Sequence, residues 1–172
     1  MASLMDELLE TLEKENAEYE KLVELSMKKT PVIVGADLEQ LMKITDEEQN
    51  IVSNINRLDK IREDCMKQIA KVIHMDVKDV SLGTLVQIFE KRPEEHKKLA
   101  AIYDRLKNTI DQMVRVNNQN RELLQSSLEL VQFDMNMLQA MKSAPETANY
   151  TKTAYSTGDV MGKNQGGFDA KQ

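Results

Sequence analysis

The chain has 172 residues, of which 41% are hydrophobic and 30% charged, with no Trp, 6 Gly and 3 Pro. This length corresponds to one domain, and so few Gly and Pro residues exclude a sandwich or barrel that turns every ~8–12 residues. The net charge of −6 argues against a protein that binds nucleic-acid phosphates or anionic lipid. The single cysteine, Cys65, excludes an intramolecular disulfide and a cysteine-only zinc site.

The amino terminus becomes acidic at once and has neither the basic nor the apolar region of a secretory signal. No apolar run approaches the ~20 residues that span a bilayer. We therefore expect a soluble, intracellular protein that does not insert into a membrane by itself.

Two long helices are predicted first, because apolar residues recur at spacings of three and four over residues 3–29 and 37–74. Ser3 is the expected N-cap of the first helix and Asp37 that of the second. Pro31 disfavours helix at the preceding residue, so residues 30–35 are predicted to be a connection. The apolar stripe of the second helix includes Leu38, Leu41, Met42, Ile51, Ile55, Leu58, Cys65, Ile69 and Val72.

A short amphipathic helix is predicted over residues 82–91, with Ser81 as its N-cap, and a third long helix over 93–142. Pro93 suits the first position of that helix. Residues 143–172 contain no Leu or Ile and four of the six glycines, so we expect a flexible tail. The seam of the third long helix includes Leu99, Ile102, Leu106, Ile110, Met113, Asn117, Asn120, Leu124, Val131, Met135 and Leu138.

The predicted fold is all-α, because three long amphipathic helices bury their stripes most simply against one another. We expect an elongated antiparallel three-helix bundle or coiled coil over residues 1–142, with a short extra helix. The widths of the apolar stripes fit both a monomeric bundle and a homodimer.

The residues that could carry catalysis or bind a metal are few. His74 lies at a helix end, unlike the mid-face histidine of a phosphotransfer domain, and His96 has no second His at i+4 for a zinc pair. Cys65 lies on the buried stripe, where a cysteine behaves as a small hydrophobe. We expect no enzyme, no cofactor and no metal site.

Two features of the third long helix stand out. Asn117 and Asn120 occupy successive seam positions, where a buried Asn commonly fixes helix register at a cost in stability. Near its end, the helix is apolar on more than one face. One face, with Val131, Met135 and Leu138, can pack on the bundle. A second strip then remains to bind a partner, although plain core packing is the alternative. That strip consists of Leu130, Phe133, Met137 and Met141.

These residues resemble the FlgN family, the bacterial flagellar export chaperones for the hook–filament junction proteins. The resemblance covers residues 1 to about 155, and the segment 76–92 and the stretch past Gly158 have no clear counterpart. Tyr155 with Gly158 is similar to the family's short tail. The segments 37–41 and 47–51 are similar to the family's opening of its second helix. The helix-3 signature of the family is matched by Asn117, Asn120, Leu123, Leu124, Ser127, Leu128 and Val131.

The resemblance implies a cytoplasmic, non-enzymatic, ATP-independent chaperone. It would bind the carboxy-terminal helical segments of the two junction proteins, prevent their assembly and deliver them to the export gate. Tyr150 and Tyr155 in the tail suit a short docking motif. The resemblance suggests that they bind the cytoplasmic domain of the gate's large membrane subunit, and a plain spacer is the alternative. A structural coiled-coil scaffold or adaptor remains the alternative function.

Overall fold

A computed structural model describes residues 2–143. They contain helices and turns but no strand, which confirms the all-α prediction. Two 3₁₀ turns, Val77–Asp79 and Phe89–Lys91, flank the shortest helix. The chain divides into two units, Met1–Phe133 and Asp134–Gln172. The helices are α1 (Ala2–Val34), α2 (Leu38–Ile73), α3 (Leu82–Ile88) and α4 (Pro93–Ser143).

Helix α1 continues through Pro31 to Val34, so the predicted connection over residues 30–35 is wrong. A proline inside a helix removes one backbone hydrogen bond. Two contacts, one on each side of Pro31, offset that loss. The hydroxyl of Thr30 donates to the Oδ1 of Asn120 at 2.7 Å, and the side chain of Ile33 is buried. Ser3 also lies inside α1, because the helix begins at Ala2.

The turn from α1 to α2 is a Schellman motif. The amide of Asp37 donates to the carbonyl of Val32 (3.2 Å), and the amide of Ala36 donates to that of Ile33 (3.1 Å). Ala36 has a φ of 52°, in the left-handed region that favours glycine. The Asp37 carboxylate then caps α2 by accepting a hydrogen bond from the amide of Gln40 at 3.0 Å, as predicted.

Three further helix ends also follow capping rules. His74 ends α2 with a φ of 56°, while the amide of Met75 donates to the carbonyl of Ala70 (3.0 Å). Ser81 caps α3, as predicted, by accepting a hydrogen bond from the amide of Thr84 at 3.1 Å. Pro93 is the first residue of α4, also as predicted. The predicted helix over 82–91 is α3 followed by a 3₁₀ turn.

Side-chain pairs give the helix directions within the first unit. Glu15 and Lys29 of α1 pair with Arg62 and Glu48 of α2, respectively, so these two helices are antiparallel. Asn16 and Thr30 of α1 bond to Thr109 and Asn120 of α4, so α1 and α4 are parallel. The three long helices therefore run up, down and up.

The segment between α2 and α4 completes the main core. Three of its residues are buried there, namely Val80, Leu85 and Phe89. The thiol of Cys65 is buried in this core, as predicted, and burial raises its pKa. The other core side chains come from the long helices: Met5, Leu8, Leu12, Ile69, Ala70, Leu99, Ile102 and Leu106.

The predicted stripe of α2 is wrong at three positions. Leu38, Met42 and Val72 are exposed, whereas Ile55 and Ile69 are buried. At 3.6 residues per turn, Leu38 and Met42 point roughly away from the buried side of α2. Val72 lies in the last turn of α2.

Replacing Ala36 with glycine should stabilise the chain. Relief of the left-handed strain exceeds the added flexibility of glycine in the unfolded state, so the gain should be about 0.5–1 kcal/mol. Thermal unfolding followed by circular dichroism would measure it. Ala17→Gly, at an exposed position inside α1, should instead lose about 1 kcal/mol. Equal effects of the two variants would contradict the strain at Ala36.

Candidate functional site

A buried asparagine ties α4 to α1. The Nδ2 of Asn120 donates to the carbonyl of Ser26 at 2.7 Å, and its Oδ1 accepts a hydrogen bond from the hydroxyl of Thr30 at 2.7 Å. Asn120 as a whole residue is only 3% exposed. A buried amide without partners costs about 1–3 kcal/mol, so these contacts favour the register that satisfies it.

Ser26 extends this contact to α2. Its buried hydroxyl lies 3.0 Å from the Oδ1 of Asn117 and 3.2 Å from a carboxylate oxygen of Glu48, and it can donate to one of them at a time. The other oxygen of Glu48 pairs with Lys29 at 2.7 Å. We call this set the polar layer: Ser26, Lys29, Thr30, Glu48, Asn117 and Asn120.

Sequence reasoning found the two asparagines of the polar layer but missed their partners on α1. The structure buries Asn120 but leaves Asn117 exposed, with its Nδ2 donating to the sulfur of Met113 at 3.1 Å. The sequence contains a signal for these partners, because Val23, Ser26 and Thr30 are spaced three and four apart and therefore share one face of α1. The prediction that α1 ends at residue 29 hid it.

An ion pair between a buried glutamate and a half-buried arginine provides a second polar contact, between α1 and α2. The Nε of Arg62 lies 3.1 Å from the carboxylate of Glu15, and Arg62 also pairs with Asp59. Burial raises the pKa of Glu15, although the charge of Arg62 opposes that rise. Burial acts to lower the pKa of Arg62, but the two carboxylates raise it overall. The pair thus has a structural role in helix pairing.

Beyond Asn120, α4 presents apolar side chains to solvent. In the first unit, the exposed fraction is 62% for Leu130, 55% for Val131 and 60% for Phe133. In the second unit, the described residues 134–143 are one stretch of helix, and a single helix cannot bury its own side chains. Its exposed apolar residues are Met135, Met137, Leu138 and Met141.

The prediction that Val131 packs on the bundle is wrong, because 55% of this residue is exposed. Met135 and Leu138, which were assigned to the same face, lie in the second unit and are exposed there. The residues assigned to the second strip, Leu130, Phe133, Met137 and Met141, are exposed as well.

An apolar cavity of about 240 Å³ lies between α4 and the turn that joins α1 to α2. Leu124 and Ser127, predicted as family-signature residues, both line it. Leu124 is half-buried, while Ser127 is exposed and donates to the carbonyl of Leu123 at 2.9 Å. Sequence reasoning missed this cavity because it placed residues 30–35 in a connection. The full lining is Val32, Ile33, Ala36, Leu38, Leu41, Leu124, Ser127, Leu128 and Val131.

Within residues 2–143, no group of three or more His, Cys, Asp and Glu side chains is arranged to hold a metal ion. Over the same residues, no helix combines the length and apolarity needed to cross a bilayer. Tyr150 and Tyr155, predicted to dock to the export gate, lie outside the described residues.

The whole-chain comparison decides the family. A family model described as FlgN protein matches residues 1–157 of the chain. The chain belongs to the FlgN family. Membership supports a role as a chaperone in flagellum biogenesis and secretion, and the matched range includes the segment 76–92. No curated protein and no solved structure matches the chain significantly.

Removing the buried amide should destabilise this FlgN-family chain. Asn120→Ala removes two hydrogen bonds, one to the hydroxyl of Thr30 and one to the carbonyl of Ser26, and these two groups keep only their longer contact with each other at 3.3 Å across this layer. We therefore expect a loss of about 1–3 kcal/mol in unfolding free energy. Urea denaturation would measure it. The matched control, Asn118→Ala, alters an exposed residue of the same helix and should change stability by less than about 0.5 kcal/mol. A loss of similar size in both variants would contradict a special role for Asn120.

Proposed function

We propose that this protein is a cytoplasmic chaperone for the hook–filament junction proteins. It binds their carboxy-terminal helical segments, prevents their assembly before export and delivers them to the export gate. Family membership supports the chaperone role. The observation that carries the rest is the exposed apolar end of α4, with Leu130, Phe133, Met137 and Met141 as the binding residues.

An exposed apolar strip of this kind usually marks an interaction site, because soluble proteins seldom leave clustered large apolar side chains in water. Methionines make such a surface adaptable, since the unbranched thioether side chain can follow different partner shapes. Met137 and Met141 are spaced by one helical turn, which suits contact with an amphipathic helix. Binding by completing a helical bundle requires no nucleotide.

Replacing Phe133 and Met137 with aspartate should abolish client capture and leave folding intact. Both side chains are more than half exposed, so the new carboxylates stay hydrated in the free protein. Binding would bury them against an apolar helix, which should weaken affinity at least about tenfold. Calorimetric titration with the carboxy-terminal segments of the junction proteins would measure the loss.

A matched control separates charge from lost apolar surface. Gln125→Asp with Gln139→Asp adds the same two charges to exposed positions of α4 and should keep affinity within about twofold. Unchanged capture by the Phe133 and Met137 variant would overturn the proposed site. Self-association with no capture of junction segments by the unmodified chain would favour the scaffold function instead.

We propose that the tail docks the loaded chaperone to the cytoplasmic domain of the export gate's large membrane subunit, through Tyr150 and Tyr155. Tyrosine offers a large amphipathic contact area at low entropy cost. Two of the four tyrosines in the chain lie in residues 143–172, a segment too poor in apolar residues to form a core of its own.

The tail proposal predicts weak binding to the isolated gate domain, because the contact must order the segment. Binding should tighten when a client occupies α4. Tyr150→Ala with Tyr155→Ala should weaken it by about tenfold or more, measured by titration with and without client. Equal affinity of the unmodified chain and of this variant for the gate domain would indicate that the tail is only a spacer.

A further inference from the structure

Near its end, α4 carries a shallow groove that the proposed client site does not use. The groove has a volume of about 430 Å³ and is lined by Met135, Leu138, Gln139 and Lys142. Their i, i+3, i+4 and i+7 spacing places them within about 100° of one another around the helix. Met137 points about 200° away from Met135, so a client helix packed on Met137 leaves the groove uncovered.

The chemistry of the groove suits a tyrosine ring. Met135 and Leu138 are both more than half exposed and offer an apolar bed, and a thioether packs well against an aromatic ring. Lys142 lines the same groove, and its ammonium group can pack on the face of such a ring. The side-chain amide of Gln139 can form a hydrogen bond with the phenolic hydroxyl, which Leu and Phe lack.

The tail, residues 144–172, follows this groove directly in the chain. Helix α4 ends at Ser143, and Pro145 is unsuited to continue it because proline has no amide hydrogen. Tyr150 comes seven residues after Ser143, a length that can span up to about 23 Å. The middle of the groove lies only about 7 Å back along the helix axis. Tyr150 can therefore reach the groove, and the short tether gives it an effective concentration there of the order of millimolar.

Charge favours the tail over a second copy of the chain as the occupant. The tail contains three acidic residues and three lysines, so its net charge is zero. Two copies of the chain, each with a net charge of −6, repel one another. Within the tail, Tyr150 precedes Tyr155, and the cost of closing a loop rises with its length, so Tyr150 is the favoured anchor.

We propose that Tyr150 occupies this groove and anchors the tail on α4. Tyr155, five residues later, is then held close to the end of the helix and stays free to bind the export gate. Client and tail pack on different sides of the same helix end, so each favours the helical conformation that the other needs. Client loading and gate binding are thereby linked. The link to client and gate rests on the proposed function, whereas the anchoring of Tyr150 does not.

A single tryptophan tests the anchor, because the chain contains no Trp of its own. The full chain would carry Tyr150→Trp as a fluorescent reporter. Adding Met135→Ser and Leu138→Ser should expose the reporter, so that acrylamide quenches it about twofold more efficiently and its emission moves to longer wavelength. The matched control makes the same substitutions at exposed positions of α2, Met42→Ser with Leu38→Ser, and should change neither reading. A reporter placed by Tyr155→Trp instead should be quenched equally in all three chains.

Equal quenching of the Tyr150→Trp reporter with and without the two groove substitutions would overturn the anchor. A response that disappears on dilution would also overturn it, because the occupant would then be the tail of a second copy. The measurement requires neither a junction segment nor the gate domain. If the reporter responds as expected and the unmodified chain captures no junction segment, the proposed function fails and the anchor stands. Capture of junction segments with an unresponsive reporter would mean the reverse.

Discussion

The contact between Asn120 and Thr30 sets how far α4 can be covered by the rest of the first unit. A buried amide is costly unless it is bonded, so Asn120 favours the register that places it beside Ser26 and Thr30. Since α1 and α4 run parallel and α1 ends at Val34, only four residues of α1 follow Thr30. From about Leu124 to Phe133, α4 therefore extends past the end of α1, which no longer covers it. One polar contact explains an exposed apolar helix end.

The same register separates the parts of α4 that stabilise the fold from those that are free to bind. Leu99, Ile102 and Leu106 lie in the main core, Asn120 lies in the polar layer, and the cavity begins at Leu124. The segment 76–92 closes the core at the other end of α1, with Leu85 and Phe89. Substitutions in the cavity or on Phe133 should therefore leave the core contacts unchanged, which makes binding and stability separately measurable.

Hydrophobic periodicity predicted the helices because it records which residues share a face. The helix starts marked by Asp37, Ser81 and Pro93 could also be predicted, since each depends on residues close in sequence. The path of α1 through Pro31 could not, because the contact that holds that turn comes from Asn120, 90 residues later. Local preference favoured a break, and a distant hydrogen bond opposed it.

The exposed part of α4 shows the same limit of local sequence patterns, because there the pattern predicted burial and the structure shows exposure. The apolar character of Val131 predicted burial. Burial requires a neighbouring helix beside that part of α4, and α1 ends too early to provide one. The strip at Leu130 and Phe133 could be proposed from composition alone. The cavity could not, since its walls come from two places more than 80 residues apart in sequence.

The exposed side chains of Leu130, Val131 and Phe133 raise the question of why copies of this chain would not cover one another. The net charge of −6 opposes self-association in general, because it acts between two copies in any orientation. A client without an excess of negative charge meets no such repulsion. The charge that discourages pairing of two chaperones thus leaves these side chains available to a client, so the same net charge contributes to both solubility and selectivity.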